Sequence, residues 1–405
     1  MTLSINASAV PTIRDGSPAG DTLLAALQEL VPTLRERALE AEASGRIPEA
    51  TVTRLTEIGA FRAVVPERFG GLELPFPYVP QIFRILGRGC SSTSWCMGFL
   101  VYHNFQFAHF PLKAQEEVWG TRGFSMAPGQ VMPSGKAVQV DGGYRISGRW
   151  GYATGIYHGD WMLLSAPTER RDGDTEMRRF FIPVDHFTIL DTWDVVAMKA
   201  TGSHDVTIEN EFVPAHRSLL VSDLREMRAE GLSHNVGPLW RVPLLSFMVL
   251  GCVGPFVGAA EALLEIVTDV MKTKVGAYSG DRQKGLMSQH IRIGRLAVQL
   301  DAIIRLWEGH VEETWDEVRQ CRTLSRGRRA EVRAVASHVA HACFGIIDEL
   351  SRCVGSRSFY ADNPIQRFHR DMSSLSTHAL FEEDHLANLY GAMRLGQELP
   401  QHAMI

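Results

Sequence analysis

The stretch AVQVDGGYRISGRW, residues 137–150, decides the fold. Ala137–Val140 and Tyr144–Ser147 are short runs rich in β-branched or aromatic side chains, and Asp141-Gly142-Gly143 between them carries the residues of a tight hairpin. The same texture recurs at Trp161–Ala166, Arg179–Pro183 and Val206–Ile208, punctuated by Asp172-Gly173-Asp174 and Thr201-Gly202-Ser203. Together these segments predict an antiparallel β domain from Phe124 to Val213.

On both sides of this region the apolar period lengthens from two to between three and four. Upstream, Leu23, Leu24, Leu27, Leu30, Val31 and Leu34 trace one helical stripe, and Val52, Leu55, Ile58 and Phe61 trace another after Pro48. Phe69-Gly70-Gly71 and the prolines at 75, 77 and 80 predict a loop before a third helix through Phe83, Ile85 and Leu86. Downstream, long helical patterns cover 243–273, 284–318, 326–354 and 371–396. The fold class is therefore α+β, mainly α: a flexible polar N-terminus (1–21), an N-terminal helical domain (22–120), a central β domain (121–232) and a C-terminal long-helix bundle (233–405).

Composition excludes several functional classes. With 41 Lys+Arg against 46 Asp+Glu the net charge is −5, and the most basic run, Arg319 to Arg333, is broken by Glu331, so it predicts a solvated helix start and no nucleic-acid partner. Six cysteines without Cys-x-x-Cys spacing predict buried reduced thiols, no metal site and a cytoplasmic address. Val242 to Ala260 carries no formal charge, but Pro243, Gly251, Gly254, Pro255 and Gly258 interrupt it, which predicts a core helix and no membrane span. Gly251, Gly254 and Gly258 suit close helix packing, and neither a Walker loop nor a dinucleotide fingerprint occurs.

Several blocks in fixed order resemble the acyl-CoA dehydrogenase fold, and within it the two-component flavin-dependent monooxygenases of the aromatic hydroxylase type. They are Phe69-Gly70-Gly71-Leu72-Glu73, Ser91-Ser92-Thr93-Ser94-Trp95, Ile146-Ser147-Gly148-Arg149-Trp150, Ala200-Thr201-Gly202-Ser203, Phe212-Val213-Pro214 and the run from Asn363 to Asp371. The resemblance implies a flavin bound between the β domain and the C-terminal helices, and a homotetramer. A dehydrogenase needs a carboxylate base to take the proton α to a thioester. The two places where the family carries one correspond to Ala379 and to Gly254 and Pro255, so neither holds an acid.

The resemblance to the monooxygenases implies an oxygenase component that receives reduced FMN or FAD from a separate flavin reductase. It would form a C4a-hydroperoxyflavin with O2 and hydroxylate a small phenolic or indolic substrate. Trp95 and, eight residues on, His103 reproduce the family's spacing, which implies a flavin wall and a substrate-facing catalytic imidazole. His378 matches a second catalytic histidine, and Thr154 a hydroxyl that holds flavin N5–H. Arg282 and Arg241 correspond to positions near the flavin phosphate or ring, and Gly129 stands where many relatives place a substrate-contacting serine. A histidine with pKa near 6.5 is suited to assist ionisation of a phenol. Each residue also has a structural reading: core packing for Trp95, a strand end for Thr154, surface ion pairing for the arginines. An N- or S-oxygenase of the same fold, or an acyl-CoA dehydrogenase with a relocated base, shares most of these features.

Overall fold

The computed structural model describes residues 13–14, 16–130, 132, 134–276, 280–400 and 403–405. The expected flexible N-terminus lies largely outside this range. Within it, Ser17 accepts a hydrogen bond from Gly20 N and caps α1 (Pro18–Ser44), so the first helix starts four residues before its predicted origin. The helices α2 (Glu49–Glu57), α3 (Tyr78–Gly89), α4 (Ser91–Phe107) and α5 (Leu112–Trp119) complete the N-terminal part. Pro80, expected in the loop, lies in the first turn of α3, where the missing N–H costs no intrahelical bond.

Seven strands follow: β1 (Lys136–Val140), β2 (Gly143–Trp150), β3 (Trp161–Glu169), β4 (Thr175–Pro183), β5 (Thr188–Leu190), β6 (Asp205–Pro214) and β7 (Ser218–Leu220). They form one sheet in the order β5-β6-β2-β1-β3-β4-β7. The hairpin at Asp141-Gly142 closes with Val140 opposite Gly143, and Gly142 has φ 75°. The expected all-antiparallel sheet needs one correction, because β1 and β3 run parallel, with Ala137 opposite Thr168. After β2 the chain crosses through residues 151–160 to the far edge of β1, so β3 arrives in the direction β1 already has. That crossing carries Thr154. The short strands β5 and β7 have too few residues to show a periodic signal and were not foreseen.

The C-terminal part comprises α6 (Val221–Arg225), α7 (Leu244–Cys252), α8 (Gly254–Thr273), α9 (Met287–Arg319), α10 (Arg326–Val354), α11 (Pro364–Ser376) and α12 (Glu383–Arg394). Two predicted helices are each broken in two. The first breaks at Val253, ahead of Pro255; the last starts earlier, at Pro364, and is interrupted at 377–382. Leu244–Thr273 is long and apolar enough to span a membrane, yet its apolar window is entirely buried in the protein, as a core helix requires. Five cysteines are buried and free, and Cys321 is exposed. The basic run is not uniformly solvated: Arg333 is 5% exposed and donates to Met404 O, and Arg328 pairs with Glu313 and Glu331.

Helices α3 and α8 pack closely. A Cβ at Gly258 would lie 2.1 Å from Arg84 O, and one at Gly254 would lie 2.6 Å from the Phe83 Cβ. Beside this contact Glu261 receives two hydrogen bonds from Arg84, at 2.6 and 2.9 Å, so a buried acid is neutralised by a guanidinium. A second cluster ties the sheet to the helices. Asp371 of α11 accepts from Met198 N at 2.7 Å, and Arg370 beside it pairs with Glu42 of α1. The turn 199–203 is thereby seated against both helical parts.

Candidate active site

Residues from α4, the 127–130 segment, the 151–160 crossing, the 199–203 turn and the end of α11 meet where the sheet faces the helices. On α4, positions 95, 99 and 103 recur every four residues and so share one face. Trp95 meets Phe99 edge-on at 4.7 Å between centroids and His378 at 5.2 Å, and Phe99 lies 5.5 Å from His103. The structure thus joins three residues singled out in the sequence, Trp95, His103 and His378, through Phe99.

The two histidines carry opposite tautomers when neutral. His103 is 2% exposed, and its Nδ1 lies 2.5 Å from Ala127 O, so Nδ1 carries the hydrogen and Nε2 presents a lone pair. His378 Nδ1 accepts from Leu380 N at 3.2 Å, so its hydrogen sits on Nε2, which is left as a donor. Burial, with the Arg179 charge adding to it, pushes the His103 pKa down to about 3. The expectation of an imidazole near 6.5 is corrected accordingly: His103 is a neutral acceptor throughout the physiological range. His378 is exposed on one side, and its packed side lowers its pKa as well.

Thr154 is half-buried and belongs to a directed row of hydroxyls. Thr201 Oγ1 donates to Met198 O at 2.9 Å, which leaves it to accept from Ser203 Oγ at 2.7 Å. Ser203, having used its hydrogen, accepts in turn from Thr154 Oγ1 at 3.0 Å. Thr154 therefore keeps free lone pairs and no free hydrogen, which matches an incoming N–H donor.

Gly129 adjoins His103 through a close approach. A Cβ there would fall 2.6 Å from His103 Cε1, 2.7 Å from His103 Nε2 and 3.0 Å from Arg179 Nη2. A serine cannot occupy this position without displacing one of these groups. Arg179 was missed in the sequence, though a signal existed. It precedes Phe181 by two in β4, and a period of two puts both on the face that meets the helices, where Phe181 packs edge-on against Phe107 and Phe110. Arg179 is 2% exposed, and its Nη1 donates to Gln130 O and, at 3.2 Å, to Ser165 Oγ. Its Nε and Nη2 have no hydrogen-bond partner among the described residues, and burial lowers its pKa to about 10.

The two remaining arginines lie elsewhere on the surface. Arg241 is exposed and donates to Val236 O at 3.2 Å and to Cys321 Sγ at 2.8 Å. Arg282 is exposed in the loop before α9, bridged to Val275. Among the described residues neither arginine shares a hydrogen bond or ion pair with the His103–Trp95–His378 cluster. Ala379 and the pair Gly254 and Pro255, which the resemblance aligns with the dehydrogenase base positions, carry no acid, and Gly254 is closed off against α3.

The chain matches known proteins along most of its length. Residues 23–121 match the acyl-CoA dehydrogenase N-terminal domain, and residues 250–383 match the acyl-CoA dehydrogenase C-terminal domain. The oxygenase subunit HsaA, a flavin-dependent monooxygenase of Rhodococcus jostii (strain RHA1), is 30% identical over 377 residues, 91% of this chain and 97% of that protein. The crystal structure of 3-HSA hydroxylase from Rhodococcus sp. RHA1 superposes with a TM-score of 0.89 at 29% identity, covering 94% of this chain and 98% of that one. XiaF from Streptomyces sp., solved with FADH2 and glycerol, gives a TM-score of 0.87 at 27% identity and covers 94% of this chain and 96% of its own. This match along nearly the whole length places the chain in a family: it belongs to the oxygenase components of the two-component flavin-dependent monooxygenases, oxidoreductases that use reduced flavin and molecular oxygen.

Proposed function

We propose that the chain hydroxylates a small phenolic ring, with His103 facing the substrate hydroxyl and with Thr154, Trp95 and His378 around the flavin. The observation that carries this reading is the neutral, buried His103, whose Nε2 lone pair faces inward beside the bare Cα of Gly129. Reduced flavin, FMN or FAD, supplies activated oxygen when bound. Thr154 fits that group because its row of hydroxyls is arranged to accept from an N–H at the ring's N5. Trp95 offers an apolar edge that excludes water, and His378 offers an Nε2–H that can donate to an oxygen. His103 holds the substrate hydroxyl at Nε2 and receives its proton as the ring becomes a better nucleophile. Arg241 and Arg282, both exposed cations, are the proposed charged partners of the flavin, Arg241 of its ring or phosphate and Arg282 of its phosphate across a subunit boundary.

A homotetramer accords with an apolar row on α9, where Met287, Ile291 and Val298 are 74, 62 and 71% exposed. The partners are a small aromatic substrate and a separate flavin reductase, and the free thiols suit the cytoplasm. The test supplies reductase, NADH, flavin and oxygen with a panel of phenols, indoles, amines and thioethers, and identifies products by mass. A phenol that gains one oxygen on the ring is the expected product. Turnover confined to amines or thioethers, or no long-lived absorbance transient when the reduced flavoprotein meets oxygen, overturns the proposal.

A further inference from the structure

We infer that Arg179 and Gly129 form, with His103, a notch that recognises the phenolic oxygen and holds it as the phenolate. The inference rests on the phenol reading above and goes further by naming the group that fixes substrate class. The serine position of relatives is a glycine here, and the His103 imidazole and the buried Arg179 guanidinium converge on it, Nε2 and Nη2 lying 2.7 and 3.0 Å from the point that a Cβ would occupy. A cation buried without a counter-ion is costly unless something negative joins it. Among the described residues no carboxylate pairs with Arg179, and its Nε and Nη2 are unpartnered. The other titratable groups facing it are Tyr102 and His103, and burial raises the Tyr102 pKa, so Tyr102 stays neutral and does not supply the charge.

The pairing of a donor with an acceptor discriminates among ligands. His103 Nε2 needs a hydrogen, while Arg179 Nη2 offers one. A phenol meets both demands through a single oxygen, giving its hydrogen to Nε2 and accepting from Nη2. A carboxylate has no hydrogen for Nε2, an ammonium is repelled by Arg179, and a thioether meets neither demand. On ionisation the O–H bond breaks, the proton forms an Nε2–H bond on His103, and the electron pair stays on the oxygen between two cationic donors. The phenolate in turn supports the His103 imidazolium, which the empty notch disfavours.

The test uses the full-length protein without flavin and 4-nitrophenol, a probe whose phenolate alone absorbs in the visible. At about one pH unit below the probe's own pKa, the wild-type protein should convert bound probe to the phenolate. Arg179→Gln should abolish that band and weaken binding about 10- to 100-fold, while Arg179→Lys should retain part of the band. Nitrobenzene, which lacks the hydroxyl, should bind both proteins equally. Should Arg179→Gln fail to fold by circular dichroism, Gly129→Ala gives the second arm, since it fills the notch and should remove the band with Arg179 intact. Equal phenolate bands in wild type and variants, or bound probe that stays neutral on the wild type, overturns the inference. Because no flavin or oxygen is present, this outcome is independent of whether the oxygenase reading of the substrate holds.

Discussion

At Thr154 the question is what a single hydroxyl can still do once its hydrogen is spent. It donates to Ser203 and so can only receive. Thr154→Ala removes that acceptor and should speed decay of the oxygen-derived absorbance transient about fivefold to tenfold, the equivalent of one hydrogen bond of about 1–1.4 kcal/mol. Thr154→Ser should restore the wild-type lifetime. Stopped-flow absorbance, with hydrogen peroxide release measured in parallel, checks both variants, and an unchanged lifetime in Thr154→Ala removes the role. Trp95, His103 and His378 were legible through spacing and type, because a helix repeats a face every three to four residues and a resemblance supplies the rest. The tautomers were not legible, since each depends on a backbone group that only the folded path brings to the ring, Ala127 O for His103 and Leu380 N for His378. Arg179 escaped notice for a related reason: one charge in a strand looks like any other until the opposing surface is known.

Among the elements, the packing of α7 and α8 against α3 gives the sharpest contrast. Gly258→Val would thrust a side chain into Arg84 O, 2.1 Å from the position of its Cβ, and should cost about 3 kcal/mol or more. Gly251→Ala places its Cβ 3.4 Å from the Phe83 ring, an ordinary contact, and gains helix propensity of about 0.5–1 kcal/mol, so it should be neutral or mildly stabilising. Thermal unfolding of both variants decides the matter, and equal loss would contradict the packing argument. The glycine spacing was readable as helix contact. The breaks at Val253 and at 377–382 were not, because the apolar pattern runs on through both while the path of the backbone changes. The second break matters to the site, since it sets His378 at the head of a short turn, capping it instead of pointing along a helix.

For the molecule as a whole, buried neutral imidazoles make stability depend on acid. His103 and His109 are held in their neutral forms, with pKa values pushed down to about 3 and about 4, while the unfolded chain titrates near the ordinary 6.5. Between these values the unfolded state binds more protons, so stability is fully present above about pH 6.5 and is lost as pH falls toward about 4. Each histidine adds a slope of up to about 1.4 kcal/mol per pH unit in that window. Urea unfolding at a series of pH values should show the decline, and His109→Gln should make it shallower. A flat profile would mean that these rings are hydrated in solution. The overall order of helices, sheet and helices was plain from periodicity, whereas the parallel β1–β3 pair depended on which edge the crossing reaches, a matter of three-dimensional path. That crossing ends with Thr154 leaning on Ser203, Thr201 and finally the Met198 carbonyl, a line of groups with lone pairs to spare and nothing left to give. An isoalloxazine arriving fresh from a reductase brings a hydrogen on its central nitrogen, and one that has been spent does not. With the flavin seated as proposed, the row would grip the charged carrier and loosen its hold on the discharged one, sorting inbound from outbound traffic without any moving part.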